Sequence, residues 1–490
     1  MSVPGKIGVR EFFRILLSYR TGKAGLAMLG VMLALSLYAL AVLPPNYGTN
    51  YWSNAEVWKD YPRLAPPDWY RYFDSSLLPN TILVAQRPTL TGTATLAGTS
   101  VAVFTYTFEY DYNYPTFPQD VRLAVYGLTA YNATKPVVLS VSVTRPDGEV
   151  PQLYSELIPV PPDQQGEKTF YPYAKGINAF GNGIMANALA SFYAMKYGIA
   201  VAPSTLLGLG VGVERALFAR PMGAEGNLTL VPLNGHYTFT VTLTLTSTKD
   251  TVDKVTLAII GRAYGLMGTD NLGRDLAQVL LFGFPVALLI GVVTSLAASS
   301  IGTSLGLISG YFGGRIDEVI QRSSDTLNNF PLLPLLILLT FLVPTQERLV
   351  TILLVLVIFG WAGLAIIIRS MVLSIKAEGY VEAARAVGAT DGRIMFRHVL
   401  PQVLPYAVAQ LIFLTPGAIL TEAALSVLGL GDPSIPTWGQ VLEGVLRAGA
   451  VSIAWWWALP PGLLIIFSAV TFVLLALTLE PVVDPRLRKR

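Results

Sequence analysis

Residues 276–310 run for 35 positions without one charged side chain. As a continuous helix they would reach about 50 Å, against a bilayer core of about 30 Å. Such a segment must cross a membrane at a tilt or project beyond it, and no Pro or Asn-Gly lies at its middle to divide it. Five further apolar segments, 24–43, 330–344, 350–370, 401–424 and 458–479, bring the candidate spans to six. Segment 330–344 is short and carries Pro331 and Pro334, so its limits are weakly defined. Composition agrees: 52% of the 490 residues are hydrophobic and 13% charged, about half the charge of a soluble chain.

The deficit is local. Residues 44–263 hold 15 Lys and Arg and 16 Asp and Glu and read as ordinary polar protein. The expected fold is therefore an α-helical multi-pass membrane protein of about six transmembrane helices, with an inserted mainly-β domain facing water. Its parts are an N-terminal segment 1–23, a first helix 24–43, the domain 44–263, a five-helix core 264–480 and a tail 481–490. A cleaved signal peptide is the alternative for the first helix, with Ala39-Leu40-Ala41 as a cleavage site. The long basic leader (Arg10, Arg14, Arg20, Lys23) favours an uncleaved anchor.

Charge sets the orientation. Of the 19 Lys and Arg outside 44–263, sixteen fall on the side of the two termini and only Arg274, Arg348 and Arg447 on the other. The positive-inside bias places both termini in the cytoplasm and 44–263 outside it, in a plasma membrane. Trp455, Trp456 and Trp457 suit an outer aromatic belt.

In 44–263, segments 237–246 (YTFTVTLTLT) and 137–144 (VVLSVSVT) alternate apolar and hydroxyl residues, and 101–112 and 121–127 are aromatic and β-branched. Pro/Gly/Asn/Asp clusters separate them. This pattern predicts antiparallel strands with one buried face, as in a β-sandwich, interrupted by a helical stretch over 176–219. Segment 198–213 is uncharged, only 16 residues long and contains Pro203, so it reads as buried or interfacial. Eighteen of the 23 tyrosines lie in 44–264. They fit sheet packing or, alternatively, a contact surface for a ligand. Asn132-Ala133-Thr134 and Asn227-Leu228-Thr229 match the glycosylation sequon.

Between the fourth and fifth spans, within 376–401, lies EAARAVGATDGRIMFRHVLP (382–401). Glu382, Ala383 and Ala384 begin a short helix whose small side chains admit another backbone. Arg385 lies within it. Gly388 and Asp391-Gly392 permit a turn, and an amphipathic piece from Arg393 leads to Pro401 at the next span. A charged helix–turn–helix at a membrane surface is a docking element or, in the blander reading, a solvated loop.

The spacing Glu-Ala-Ala, three residues, Gly, nine residues, x-x-Leu-Pro resembles the EAA loop of binding-protein-dependent ABC import permeases. The resemblance implies that Glu382, Ala383, Ala384, Gly388, His398, Leu400 and Pro401 occupy its motif positions, with the loop seated in a groove of an ATPase subunit. Histidine at 398 is similar to the peptide-type branch, and we read it as structural. Gly268, Thr269, Asp270, Gly273, Arg274 and Asp275 resemble the GTDxxGRD segment of the C-type subunit of dipeptide and oligopeptide permeases. Leu425–Gly431, with Gly429 and Gly431, and then Pro436–Gly439, with Trp438, resemble its outer loop, and Asp484–Arg488 its tail. The resemblance covers 264–490 closely and 1–43 loosely. The inserted domain departs from it.

The implied partners are a second, B-type permease, two cytoplasmic ATP-binding subunits, an extracytoplasmic binding protein and the lipid bilayer, with no nucleic acid. The implied cargo is di- or oligopeptides, with oligosaccharides or nickel chelates as alternatives. ATP and Mg would be held by the partners, and this chain is expected to hold no cofactor, metal or catalytic site. The residues agree. Without cysteine there is no disulfide, Cys-zinc or thiol chemistry, and His236 and His398 are too far apart for a metal site. No P-loop sequence occurs. Gly302-Thr303-Ser304-Leu305-Gly306 fits a nucleophile elbow only in letters. Ala298, Gly302, Gly306, Gly310 and Gly314 form a stripe on one helical face, suited to close packing against a partner permease. Arg369, Glu422 and Glu480 lie near span ends, leaving no mid-span relay for a gradient-driven carrier. A membrane-anchored receptor or enzyme would need a constellation around His236, which finds no convincing partner in the sequence.

Overall fold

A computed structural model describes residues 14, 16–58, 60–74, 82–86, 90–96, 99–126, 128–130, 137–158, 169–171, 183–208, 212–223, 227–245 and 250–483. The chain forms two compact units, Met1–Ala55 with Leu276–Arg490, and Glu56–Asp275. The first helix, α1 (Arg20–Val42), belongs to the former.

Among the described residues, the two larger sheets of the inserted unit are built from β1 (Ile82–Gln86), β2 (Leu90–Leu96), β3 (Thr99–Tyr112), β4 (Asp120–Tyr126), β5 (Val137–Arg145), β6 (Gly148–Ile158), β7 (Gly235–Leu245) and β8 (Lys254–Ile260). One antiparallel sheet runs β2-β3-β7-β5-β6 and a second β1-β8-β4. Strand β7 shows why. Tyr237, Phe239, Val241, Leu243 and Leu245 are buried, while the threonines between them are half-exposed. Val241 pairs with Tyr106 on one side and Val141 on the other, so one apolar row crosses three strands. Leu123 and Val125 of β4 and Val255 and Leu257 of β8 close the same core from the second sheet. Helix α2 (Gly183–Tyr197) adds Met185, Leu189 and Tyr193. The result is a two-sheet sandwich.

The unit ends at Asp275 rather than 263, because residues 264–270 bond back to its start. Leu64 N donates to Asp270 O at 2.8 Å, Asp68 N to Gly265 O at 2.9 Å and Tyr264 N to Pro66 O at 2.9 Å. In segment 198–213, Val201 and Leu206 are buried in the sandwich core, around the single helical turn Pro203–Leu206. Tyr106, Tyr112, Tyr193 and Tyr237 are fully buried, which favours packing as their use. His236 does have a partner: its Nδ1 lies 2.7 Å from Asp111 Oδ1. That pair is an exposed cross-strand contact between β3 and β7. The first sequon lies outside the described residues, and Asn227 of the second is exposed.

In the first unit, α3 (Leu276–Phe312) is one uninterrupted helix of 37 residues that absorbs Pro285. Gly313 (φ +65°) and Gly314 (φ +59°) then turn the chain. The expected span 330–344 is instead half of a broken pair. α4 (Gly314–Asn329) and α5 (Leu332–Leu342) meet at 82°, because Pro331 cannot continue α4. α6 (Arg348–Gly360) and α7 (Ala362–Lys376) together make one long apolar segment, Arg348–Lys376. Then follow α8 (Gly379–Ala386), α9 (Asp391–Ile394), α10 (Leu400–Val427), α11 (Trp438–Arg447) and α12 (Trp455–Val483). By length and composition, five described helical segments can each cross a membrane, and the bent pair makes a sixth.

Two expectations about surfaces change. The glycine stripe meets α7 of this same chain, not a partner: a side chain at Gly302, Gly306 or Gly310 would stand 2.7, 2.6 or 2.8 Å from the carbonyls of Trp361, Ala365 and Arg369. Close approach of two backbones inside the chain uses up that face. Of the three tryptophans, Trp456 and Trp457 are buried, Trp457 against Gly444 of α11, and only Trp455 is exposed. Helix α1 packs on α12 through its own small residues, Gly25 against Leu475 and Gly22 against Thr478, and the hydroxyls of Thr21 and Thr478 lie 2.9 Å apart.

Candidate functional site

The segment between α7 and α10 is built as a cap with two faces. α8 ends in a Schellman motif: Gly388, at φ +85°, donates to Arg385 O at 3.0 Å, and Ala389 N donates to Ala384 O at 3.1 Å. Only glycine takes that backbone without strain, which is the reason for Gly388. Thr390 caps α9, its Oγ1 accepting from Arg393 N at 3.4 Å. Residues Met395–Val399 form a widened π turn that feeds α10, where Pro401 sits in the first turn and needs no partner for its nitrogen.

The lower face is apolar. Val381, Ile394, Met395 and Val399 are buried against Leu307 and Tyr311 of α3, Ile368 and Val372 of α7 and Val403 of α10. Each fully buried aliphatic side chain contributes about 2 kcal/mol, enough to seat the element firmly. Ala384 is half-buried on this side. The upper face is open: Glu382, Ala383, Arg385, Ala386 and Gly388 are exposed, and Val387 is 89% exposed. A valine left in solvent at the crest of a charged helix is the informative feature, because nothing among the described residues covers it.

Polar ties hold the cap to α3. Tyr311 Oη donates to Asp391 Oδ1 at 2.6 Å, and Lys376 Nζ donates to Tyr311 O at 2.6 Å. Arg385 Nη2 reaches Tyr311 Oη at 3.4 Å and lies 4.0 Å from Asp391. One layer away, Arg369 of α7 grips Asp317 of α4 with two hydrogen bonds of 2.5 Å, and Ser309 Oγ donates to the same carboxylate at 2.5 Å. His398 is half-buried, its ring 6.5 Å from that of Tyr380, whose hydroxyl takes a hydrogen bond from Gln402. Arg393 is exposed, and Leu400 and Pro401 are half-buried. Among the described residues, no three His, Cys, Asp or Glu side chains come together as a metal site.

The other motif residues are structural. In the inserted unit, the buried Asp270 accepts from the backbone of Leu272 and Arg274 at 2.8 and 2.9 Å and from Arg274 Nε at 2.5 Å. Thr269 Oγ1 accepts from Ala65 N at 3.0 Å. Gly268 and Gly273 take positive φ, and Gly273 lies against the carbonyls of Trp58 and Tyr61. Thr269 and Asp275 form an isolated bridge that closes the turn. In the helical unit, Gly429 ends α10 at φ +79°, with Leu430 N donating to Leu425 O at 2.9 Å. Gly431 leaves room for Ser426 and Gln440, and Trp438 Nε1 donates to Leu280 O at 3.0 Å. Asp484–Arg488 lies outside the described residues. Gly302-Thr303-Ser304-Leu305-Gly306 is mid-helix, without the strand-to-helix turn a nucleophile elbow needs.

Comparison with known proteins agrees with this architecture. Residues 302–489, which include the whole cap, match the family described as binding-protein-dependent transport system inner membrane component. Over 223 residues the chain is 36% identical to the oligopeptide transport system permease protein OppC of Bacillus subtilis (strain 168), covering 45% of this chain and 72% of that one. It is 35% identical over 223 residues to the dipeptide transport system permease protein DppC of the same organism, covering 45% and 69%. To the glutathione transport system permease protein GsiD of Pectobacterium atrosepticum it is 35% identical over 223 residues, covering 45% and 73%. The chain belongs to the binding-protein-dependent transport permeases. The permease is thus a multi-pass membrane protein of a family of transport subunits that carry no catalytic site of their own.

Some residues beneath the permease's cap escape sequence reasoning. Tyr311 lies in the last turn of α3, where no motif marks it. Arg369 is visible as a charge near a span end, but its partner Asp317 lies 52 positions away. Only the arginine itself was a signal, since a charge at that depth calls for a counter-charge.

Proposed function

We propose that the permease is the translocation subunit of an ATP-driven importer of peptides, and that α8, the Gly388 turn and α9 are its handle. The single observation that carries this reading is the two-faced cap: anchored below by Val381, Ile394 and Val399, open above at Glu382, Ala383 and Val387. A helix with small residues and one bare valine on its free face fits the groove of a second protein. Two cytoplasmic ATPases would grip it, and their closure on ATP would tilt α3 and α7 through the Tyr311 and Lys376 ties. A second permease would complete the path, and a binding protein would deliver cargo at the opposite face. Both termini would then lie in the cytoplasm and the sandwich outside it, where its place suits reception of the binding protein.

The cargoes in the relatives' names, oligopeptides, dipeptides and glutathione, support peptides as the substrate class. The test begins with co-purification from the native membrane, identifying the ATPases, the second permease and the ligand of the binding protein. Replacing Glu382 or Ala383 with Trp blocks the free face without touching the buried one. Uptake and binding-protein-stimulated ATP hydrolysis are expected to fall together in a complex that still assembles from a folded chain. Full-rate uptake after either replacement, or labelling of a thiol at 387 only from outside the cell, would remove the importer assignment.

A further inference from the structure

The helical unit contains a cavity of about 350 Å³ where the break between α4 and α5 faces α3, α6 and α10. Its walls are Phe330 at the break, Phe359 of α6 and Phe413 of α10, and its floor carries Thr294 of α3 and Asn328 of α4. No Asp, Glu, Lys or Arg lines it. α3 is sided here. Leu289, Val292, Val293 and Leu296 are exposed on the outer face of the chain, whereas Thr294 turns the other way and is 5% exposed.

Thr294 is the observation that asks for a ligand. Threonines in apolar helices ordinarily satisfy their hydroxyl on the carbonyl four residues back. Thr340, Thr415, Thr421, Thr471 and Thr478 all do so here, at 2.7–2.9 Å. Thr294 Oγ1 does not, and it finds no other hydrogen-bond partner among the described residues. Its neighbour Ser295 is satisfied, donating to Val292 O at 3.2 Å. An unmet buried hydroxyl carries an unrepaid desolvation cost, and a site that meets it with a transient ligand recovers that cost.

We propose that this cavity is the permease's own contact site for cargo in transit, and that it takes the backbone amide of an extended peptide. The inference rests on the importer reading above and adds to it a place and a chemistry. The Thr294 hydroxyl and Asn328 carboxamide offer neutral donors and acceptors that match a peptide group. The three phenylalanines offer side-chain walls without selecting a charge. A site without charged groups suits the interior of a peptide rather than its ionised ends, and the volume lies at the small end of ligand pockets, room for about one or two residues.

The chain's lack of cysteine makes the test clean. Thr294→Cys and Asn328→Cys each give a single thiol in this subunit, and Leu296→Cys serves as a control on the exposed face. Each variant is purified as the full importer, its partners made free of reactive cysteine, with binding protein and ATP, and treated with a small cationic methanethiosulfonate. Alanine tripeptide or maltotriose is added to separate arms. We expect the 294 or 328 thiol to react, and tripeptide at near-saturation to slow it roughly tenfold while maltotriose does not. The thiol at 296 should be indifferent to both. Reaction unaffected by tripeptide, or protection by maltotriose alone, overturns the proposal. A thiol reactive in the isolated chain but silent in the complex also overturns it, because a helix of the second permease then fills the cavity. Uptake of labelled tripeptide by the cysteine-free complex is measured alongside. If uptake is absent the importer reading fails, and if uptake is intact without protection only the cavity assignment fails.

Discussion

Tyr311 Oη and Asp391 Oδ1 are joined by a hydrogen bond of 2.6 Å, linking the last turn of α3 to the start of α9 across 80 positions of sequence. The bond crosses from the buried face of the cap to its open one, since Tyr311 is 2% exposed and the Asp391 side chain 60%. It therefore ties the cap to α3, a helix of 37 residues.

Tyr311→Phe isolates this tie, because the ring stays in the core and only the hydroxyl goes. The loss of stability is expected at about 1 kcal/mol or less, since Asp391 can turn to water. Coupling should suffer more: stimulation of ATP hydrolysis by the binding protein falls, with the basal rate kept. Stimulation equal to the unsubstituted complex would show that the tie carries no motion.

At Gly388 a side chain meets nothing within 4 Å, yet φ is +85°. Replacement is thus a matter of backbone strain alone. Gly388→Val is expected to cost about 1–2 kcal/mol and to fray the end of α8, and Gly388→Asn should cost less because Asn tolerates this region. Melting temperature and uptake for the two variants, read side by side, test that order.

The glycine stripe gives a graded comparison. At Gly306 a side chain would meet the Ala365 carbonyl at 2.6 Å and Ile368 at 2.8 Å, so Gly306→Val must part α3 from α7. Destabilisation of about 1–3 kcal/mol is expected, from overpacking. Gly462→Ala in α12, with open space around it, should be neutral or stabilise slightly. Thermal unfolding of the purified chain in detergent distinguishes them, and equal effects would refute the packing account.

Glu214 in the sandwich supplies a pH dependence. Burial pushes its carboxyl up to about 7, against a smaller downward pull from its own backbone hydrogen bond and from Arg215 and Arg262 and a small upward push from Asp120. One carboxyl oxygen finds no hydrogen-bond partner among the described residues. Because the folded value lies above the unfolded one, the favourable contribution is complete below about 4.5 and is lost as pH rises through about 7. The sandwich should therefore melt lower at alkaline pH than at mildly acid pH. Glu214→Gln should flatten that slope and stabilise the unit above neutrality by up to about 3 kcal/mol. An unchanged slope in the variant, followed by unfolding of the full chain across pH, would place the titrating group elsewhere.

Much of the architecture was legible because it is written in single segments. Alternation in 137–144 and 237–246 marked β5 and β7, since a strand buries every second residue wherever its partners come from. The charge-free run 276–310 marked α3 for the same kind of reason. The cap was legible as a spacing, with Gly388 between two short helices. The break between α4 and α5 was not, because 330–344 looks like a short span until Pro331 is seen to turn the chain by 82° after an amphipathic helix. Nor was the use of the glycine stripe: a small-residue face announces a close neighbour without saying which. Trp456 and Trp457 carry the composition of an interfacial belt, yet the space beside Gly444 draws Trp457 inward.

By itself the sequence determined that this chain crosses a membrane several times, carries a sandwich between its first two spans and places a helix–turn–helix between two later ones. Hydropathy, charge and backbone freedom are properties of each residue and its near neighbours, so they survive in one dimension. Only the tertiary structure decided that Tyr311 holds Asp391, that Asp317 answers Arg369, that Gly306 receives α7 and that Thr294 lines a cavity. Those outcomes depend on groups brought within 3 Å or so from distant parts of the chain, where hydrogen bonds and packing act over a few ångströms and sequence distance has no bearing.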